Sequence, residues 1–407
     1  MATAHRPIAD TVHGTVAAGW EPVSATFAAS LARGEEWGGS VSVWHRGRVV
    51  VDLWGGVADR ATRAPWQADT ITTVFSATKG LVALCFLMLA DRGQLDYDAP
   101  VARWWPAFAA AGKADVTVRT LLNHRSGLVA LDRPITLDDL AQRPDHVAAL
   151  LAAQAPRWAP GTDQGYHAVT YGLYAGELFR RVAGESLGRF LAREVAAPLG
   201  ADVHLGLAEA DEVRVATNHP ATTAERVLKI VPKLLFHRGV EGRVYRQVAL
   251  GRDAARAFGN PRELGPTGVA NFNTRRVHAL ELPWCNGITN GRGLARVYAA
   301  LAAGGTVDGV RLVGAQAVAG LAPRQSWAER DRVLRKPLGW SQGFLKDEPH
   351  LFSPNPASFG HAGAGGALGW CDPAAQLAIG YATCKMDHRV RSRRAVALCH
   401  AIYRALA

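Results

Sequence analysis

Cysteine is scarce and follows no pairing pattern: Cys85, Cys285, Cys371, Cys384 and Cys399 are scattered, and no C-x-x-C occurs. That excludes a zinc ribbon and a disulfide framework and leaves small buried hydrophobes as the reading. No H-E-x-x-H or other metal-ligand spacing is present, so no metal and no cofactor are expected. Long apolar runs are missing too. The longest, residues 81–90, falls well short of the roughly 20 residues a bilayer span needs. Met1 to Asp10 has no basic stretch leading into an apolar core, so no signal peptide is expected. The default is a reduced, cytoplasmic chain without a membrane partner. Lysine is rare, seven among 46 Lys and Arg, and the net charge of +11 is carried mostly by dispersed arginine. The densest group, Arg389, Arg391, Arg393 and Arg394, has no interleaved aromatics. A solvated basic surface is expected, not a nucleic-acid face.

What is present is ordinary globular composition: 48% hydrophobic and 20% charged over 407 residues. Disorder is excluded, and the length allows two lobes or one large core. Residues 16–33 carry apolar side chains near helical spacing. Residues 38–56 read as a two-stranded hairpin turning at Arg46-Gly47-Arg48. A short β-branched run, residues 70–75, ends at Ser76, where a helical pattern begins and stops near Arg92-Gly93. Further helices are expected over 147–153, 171–182, 187–197 and 294–303. Residues 208–285 read as irregular, with one basic helix around 224–237. Strands are expected at 338–345, 358–361, 367–372 and 377–384, with a last helix over 390–406. The ends then form an antiparallel sheet with helices against it. Residues 1–75 and 305–407 make that α/β lobe, residues 76–304 a mostly helical lobe, with a cleft between them.

Three stretches carry chemistry. In Ser76-Ala77-Thr78-Lys79 the serine stands where a strand turns into an apolar helix, and positions three apart share a helix face. A lysine in a dry cleft has reason to lose its proton and can then take that of the serine. Tyr166 lies in a Gly- and Pro-bounded loop, and a phenol near a cationic lysine can lose its proton more easily and act as base. In residues 359–366, FGHAGAGG, the glycines allow close approach to a backbone that can aim an N–H into a cleft.

The order of these stretches resembles the serine β-lactamase and penicillin-binding fold. The details resemble class C β-lactamases and, among them, family VIII carboxylesterases. Residues 95–101 (LDYDAPV), 121–128 (LLNHRSGL) and 158–162 (WAPGT) match that group too. The resemblance runs from the hairpin to the last helix and is weakest over 208–285. It implies an α/β plus all-α fold of the β-lactamase/penicillin-binding transpeptidase type, an antiparallel sheet flanked by helices with a large helical insertion. It implies Ser76 as the acylated nucleophile, Lys79 as its proton partner and Tyr166 in the place of the tyrosine of Y-x-N. His361-Ala362-Gly363 stands in the place of K-T-G. The N–H groups of Ser76 and Ala364 would form the oxyanion hole, and His361, Gly363, Gly365 and Trp370 would meet substrate.

Two departures set the expected chemistry. Ala168 replaces the asparagine of Y-x-N, and His361-Ala362 replaces Lys-Thr of K-T-G. Polar groups that grip a lactam are gone, while an esterase centre is intact. A serine carboxylesterase acting on small ester substrates is expected, short acyl chains favoured, with Trp340 and Trp370 narrowing the acyl pocket. A β-lactamase or D,D-peptidase, or an acyltransferase, is the alternative. Gly184-Glu185-Ser186-Leu187-Gly188 imitates the G-x-S-x-G elbow, but the preceding residues are helical in period, so Ser186 reads as a helix N-cap. His124 and His167 read as loop residues around the site.

Overall fold

The computed structural model describes residues 12–222, 225–346 and 351–406; the Met1–Asp10 expectation lies outside them. A nine-stranded antiparallel sheet forms the frame. Its strands are β1 (Val12–Val16), β2 (Gly38–His45), β3 (Arg48–Gly56), β4 (Ser326–Ala328), β5 (Leu338–Ser341), β6 (Phe344–Lys346), β7 (Phe359–Ala362), β8 (Leu368–Asp372) and β9 (Leu377–Thr383). Their order is β1-β3-β2-β9-β8-β7-β6-β5-β4, so strands from both ends of the chain meet where β2 pairs with β9. Arg46 and Gly47, at φ 51° and 73°, make the two-residue turn between β2 and β3.

The helices that matter here are α1 (Glu21–Ala32), α2 (Thr78–Asp91), α3 (Thr170–Ala183), α4 (Val231–Phe236), α5 (Val240–Leu250), α6 (Arg252–Phe258), α7 (Gly291–Ala302) and α8 (Arg393–Leu406). One sheet face is covered by α1 and α8 through Val23, Phe27, Leu398 and Ile402. The other carries α2 and α7 in the larger core. Helix α2 is buried from Thr78 to Leu89. A helix apolar all round has no solvent face, and each of its Leu, Phe and Met side chains contributes about 1.5–3 kcal/mol on burial. Lys79, in the first turn of this helix, is therefore carried into the interior.

Three expectations are corrected. Val16 is not helical but ends an edge strand, pairing with Val51; Gly19 at φ 87° and Pro22 in the first helical turn set the later start of α1. Residues 338–345 are not one strand but two, β5 and β6, because Gln342 and Gly343 take positive φ and reverse the chain. Residues 208–285 hold α5 and α6 besides the basic helix. Gly239, Gly251 and Gly259 cut this stretch into helices too short for periodicity to reveal. Helix α7, although within residues 76–304, packs on the sheet: a Cβ on Gly380 of β9 would lie 2.0 Å from the Gly291 carbonyl oxygen.

Candidate active site

Ser76 sits in a tight turn between a two-residue strand, Thr72–Thr73, and α2. Phe75 before it is held at φ 47°, a sparsely populated region for a bulky residue, and such strain persists only where the surroundings enforce it. Thr78 supplies part of that enforcement. Its hydroxyl donates to the Phe75 carbonyl at 2.6 Å and accepts the Gly287 N–H at 2.8 Å. The result is a half-buried Ser76 among neighbours that are all buried.

Lys79 lies one helical turn on, fully buried. Its Nζ is 2.9 Å from the Ala168 carbonyl oxygen, 2.8 Å from that of Trp284 and 3.4 Å from Ser76 Oγ. No carboxylate among the described residues comes within 4.0 Å of it. Burial pushes its pKa from 10.5 down to about 7. A neutral amine has two N–H bonds and one lone pair. The two carbonyls take both N–H groups, and the lone pair is left for the Ser76 hydroxyl.

Tyr166 donates its O–H to Ser76 Oγ at 2.9 Å. Its ring stacks on Trp340, centroids 6.0 Å apart and planes 12° off parallel, and Lys79 Nζ lies 5.0 Å from its centroid. The expectation that a nearby lysine eases loss of the phenol proton is corrected. Burial raises the Tyr166 pKa well above its ordinary value, the Ser76 hydrogen bond offsetting only part of that rise. Lys79, not Tyr166, is the group that titrates near neutrality.

No sequence signal pointed to what holds Tyr166. Asp331 is fully buried, and its Oδ1 accepts the N–H groups of Tyr166 (3.1 Å), Val333 (2.9 Å) and Leu334 (2.8 Å). Burial raises its pKa to about 6. Flanked by Glu329, Arg330 and Arg332, it reads in sequence as one more solvated charge. His124 and His167 complete the packing. The His167 N–H donates to His124 Nδ1 at 3.0 Å, and the His124 ring lies 4.1 Å from Trp340 and 5.1 Å from Tyr166.

The Gly-rich strand reaches the same place. A Cβ on Gly80 would lie 3.3 Å from His361 Cβ and 2.1 Å from the Tyr298 hydroxyl, so α2 packs directly on β7 and α7. A Cβ on Gly363 would lie 2.1 Å from the Val74 carbonyl oxygen, two residues before Ser76. Only glycine lets the end of β7 lie against the serine turn. The backbone N–H groups of Ser76 and Ala364 make no hydrogen bond to another described residue. His361 is buried, and burial together with Lys79 pushes its pKa to about 3, so the ring is neutral.

Two of the expected substrate contacts are placed elsewhere. His361 pairs with Gly369 and Gly360 with Trp370, so Trp370 points to the opposite sheet face. It is fully buried there, its ring 5.2 Å from Phe352, and cannot narrow a pocket at Ser76. Gly365, at φ 86°, offers its carbonyl to the Asp387 N–H at 2.9 Å and to Arg394 at 2.7 Å, which makes it a structural anchor.

Ser186 caps the helix Leu187–Leu191. Its Oγ accepts the Arg189 N–H at 3.4 Å and donates to Glu281 at 2.6 Å. No histidine shares those bonds. Two cavities lie away from Ser76, one of about 530 Å³ beside the Arg46–Gly47 turn and one of about 840 Å³ between residues 131–136 and 255–271.

Several known proteins resemble this chain in sequence and fold. The chain is 37% identical over 348 residues to the Esterase/beta-lactamase LipL of Mycobacterium tuberculosis, covering 84% of this chain and 76% of that protein. The crystal structure of a family VIII carboxylesterase superposes with a TM-score of 0.84 at 38% identity, over 97% of this chain and 99% of that one. A penicillin-binding protein homologue from Caulobacter crescentus gives a TM-score of 0.84 at 33% identity, over the same shares. The Beta-lactamase family model matches residues 23–401. With its antiparallel sheet and these matches in agreement, the chain belongs to the Beta-lactamase family.

Proposed function

We propose that this protein is a serine carboxylesterase that hydrolyses small neutral esters through an acyl-Ser76 intermediate. The observation that carries this reading is Lys79, buried without a carboxylate, 3.4 Å from a Ser76 oxygen that also receives the Tyr166 hydroxyl. Neutral Lys79 takes the Ser76 proton as Oγ attacks the ester carbonyl. The carbonyl oxygen, now an anion, is met by the N–H groups of Ser76 and Ala364. When the tetrahedral centre collapses, the alcohol oxygen leaves with a proton from Tyr166, which Lys79 restores. Water then attacks the acyl carbon, gives its proton back through the same pair, and Ser76 is regenerated with release of the acid. The family VIII carboxylesterase, 38% identical, supports ester hydrolysis, and the site favours ester over lactam. Ala168 offers no side-chain amide, and neutral His361 offers no cation to a lactam carboxylate.

The test compares p-nitrophenyl butyrate, p-nitrophenyl palmitate and nitrocefin in the parent and in His361→Lys, with melting curves confirming that both fold. Butyrate should turn over fastest of the three. The lysine variant should gain on nitrocefin relative to butyrate. Faster palmitate or nitrocefin turnover in the parent rejects the substrate class, and an unchanged ratio in the variant rejects the role of His361.

Asp331 acts by positioning Tyr166. Asp331→Ala should lower kcat for p-nitrophenyl butyrate by about 10²-fold with little change in KM, because a displaced proton donor misses its atom. Asp331→Asn keeps an acceptor at Oδ1 and should recover most of that loss. Equal damage from both substitutions would show a purely structural role.

A further inference from the structure

We propose that the segment comprising α4, the turn of helix before it and α5 docks on the surface of an anionic lipid bilayer. Among the described residues, seven large hydrophobic side chains are exposed, and five of them fall within 228–250. Leu228 is 73% exposed, Val231 42%, Leu235 62%, Phe236 80% and Leu250 76%. Positions 228, 231 and 235 recur at helical spacing, so they form a stripe and not a scatter. No described helix is long and apolar enough to cross a membrane, and a stripe of this kind suits seating on a surface.

Charge identifies the occupant. Residues 228–250 hold Lys229, Lys233, Arg238, Arg243 and Arg246 against Glu241 alone. Lys233 pairs with Glu241, and Lys229 with Glu225 at 3.4 Å. Arg243 and Arg246 donate to the backbone carbonyls of Arg335, Arg238, Leu234 and His237, which leaves their charge uncancelled. A second copy seated on this patch with two-fold symmetry would set the same cations against themselves. An anionic lipid headgroup layer offers the opposite charge above an apolar layer for Leu235 and Phe236. The segment also leads straight into α6, whose Phe258 ring lies 6.4 Å from that of Tyr166, so docking sets a wall of the site close to the bilayer. The proposal stands whether or not Ser76 is the nucleophile.

The experiment is co-sedimentation of the full chain with phosphatidylcholine vesicles, with and without phosphatidylglycerol. Binding is expected only to the anionic vesicles and should weaken with added salt. The double variant Leu235→Glu, Phe236→Glu should bind about tenfold more weakly or worse, while its melting and its hydrolysis of dissolved p-nitrophenyl butyrate stay unchanged. Failure of the parent to bind, or equal binding by the folded double variant, overturns the proposal. So does a parent dimer that binds no vesicles and that the double variant splits into monomers, which would assign the patch to a second copy.

Discussion

Ser76→Ala should bring p-nitrophenyl butyrate hydrolysis to background, a loss on the order of 10⁴-fold or more, and should abolish labelling by a fluorophosphonate probe. The size follows from the geometry. Ser76 Oγ is the atom on which the Tyr166 hydroxyl and the Lys79 amine converge, at 2.9 and 3.4 Å. Removing it leaves both proton carriers without an atom to serve. The matched control is Ser186→Ala. That serine caps a five-residue helix and binds Glu281, so its loss should cost about 1 kcal/mol of stability and leave most of the activity. Activity that survives in Ser76→Ala and dies in Ser186→Ala would reassign the nucleophile.

Lys79→Met should cost on the order of 10³-fold or more in kcat/KM, because methionine fills the buried volume but cannot accept a proton. In the parent, kcat/KM should rise about tenfold per pH unit below pH 7 and level off above it, as Lys79 passes to its neutral form near pH 7. The same shift has a signature in stability. Folded Lys79 sheds its proton near pH 7, the unfolded chain near 10.5. Between these values the unfolded chain holds the extra proton, so raising the pH favours the folded state, by up to about 1.4 kcal/mol per unit. Below pH 7 both states carry the charge, and the cost of burying it is felt in full. Chemical denaturation of parent and Lys79→Met at pH 7, 8 and 9 reads this directly. The parent should gain on the variant at each step, and a constant difference would show that Lys79 is not neutralised by folding.

Much of this was legible from local pattern. The β2–β3 hairpin follows from alternating apolar residues around Arg46-Gly47. The neighbourhood of Ser76 and Lys79 follows from helix geometry, since residues three apart share a face whatever surrounds them. The N-cap role of Ser186 follows from the helical period before it. In each case the physics lies within one or two turns of chain. Tyr166 could be placed only by resemblance, because nothing local ties a loop tyrosine to a serine 90 residues away.

The rest belonged to the tertiary structure. Lys79 is neutralised near pH 7 because carbonyls 89 and 205 residues distant replace water around its amine, and desolvation is a sum over atoms that no local window contains. The same burial raises the Tyr166 pKa, against the expectation that a nearby lysine would lower it. Asp331 holds Tyr166 across 165 residues, although its charged neighbours read as surface. Trp370 lies on the far side of the sheet because strand register, fixed by the Gly360 pairing, decides the face of every second residue. Residue types and their spacing named the groups able to react. The fold decided their charge, because protonation depends on what excludes water, and those atoms come from every part of the chain.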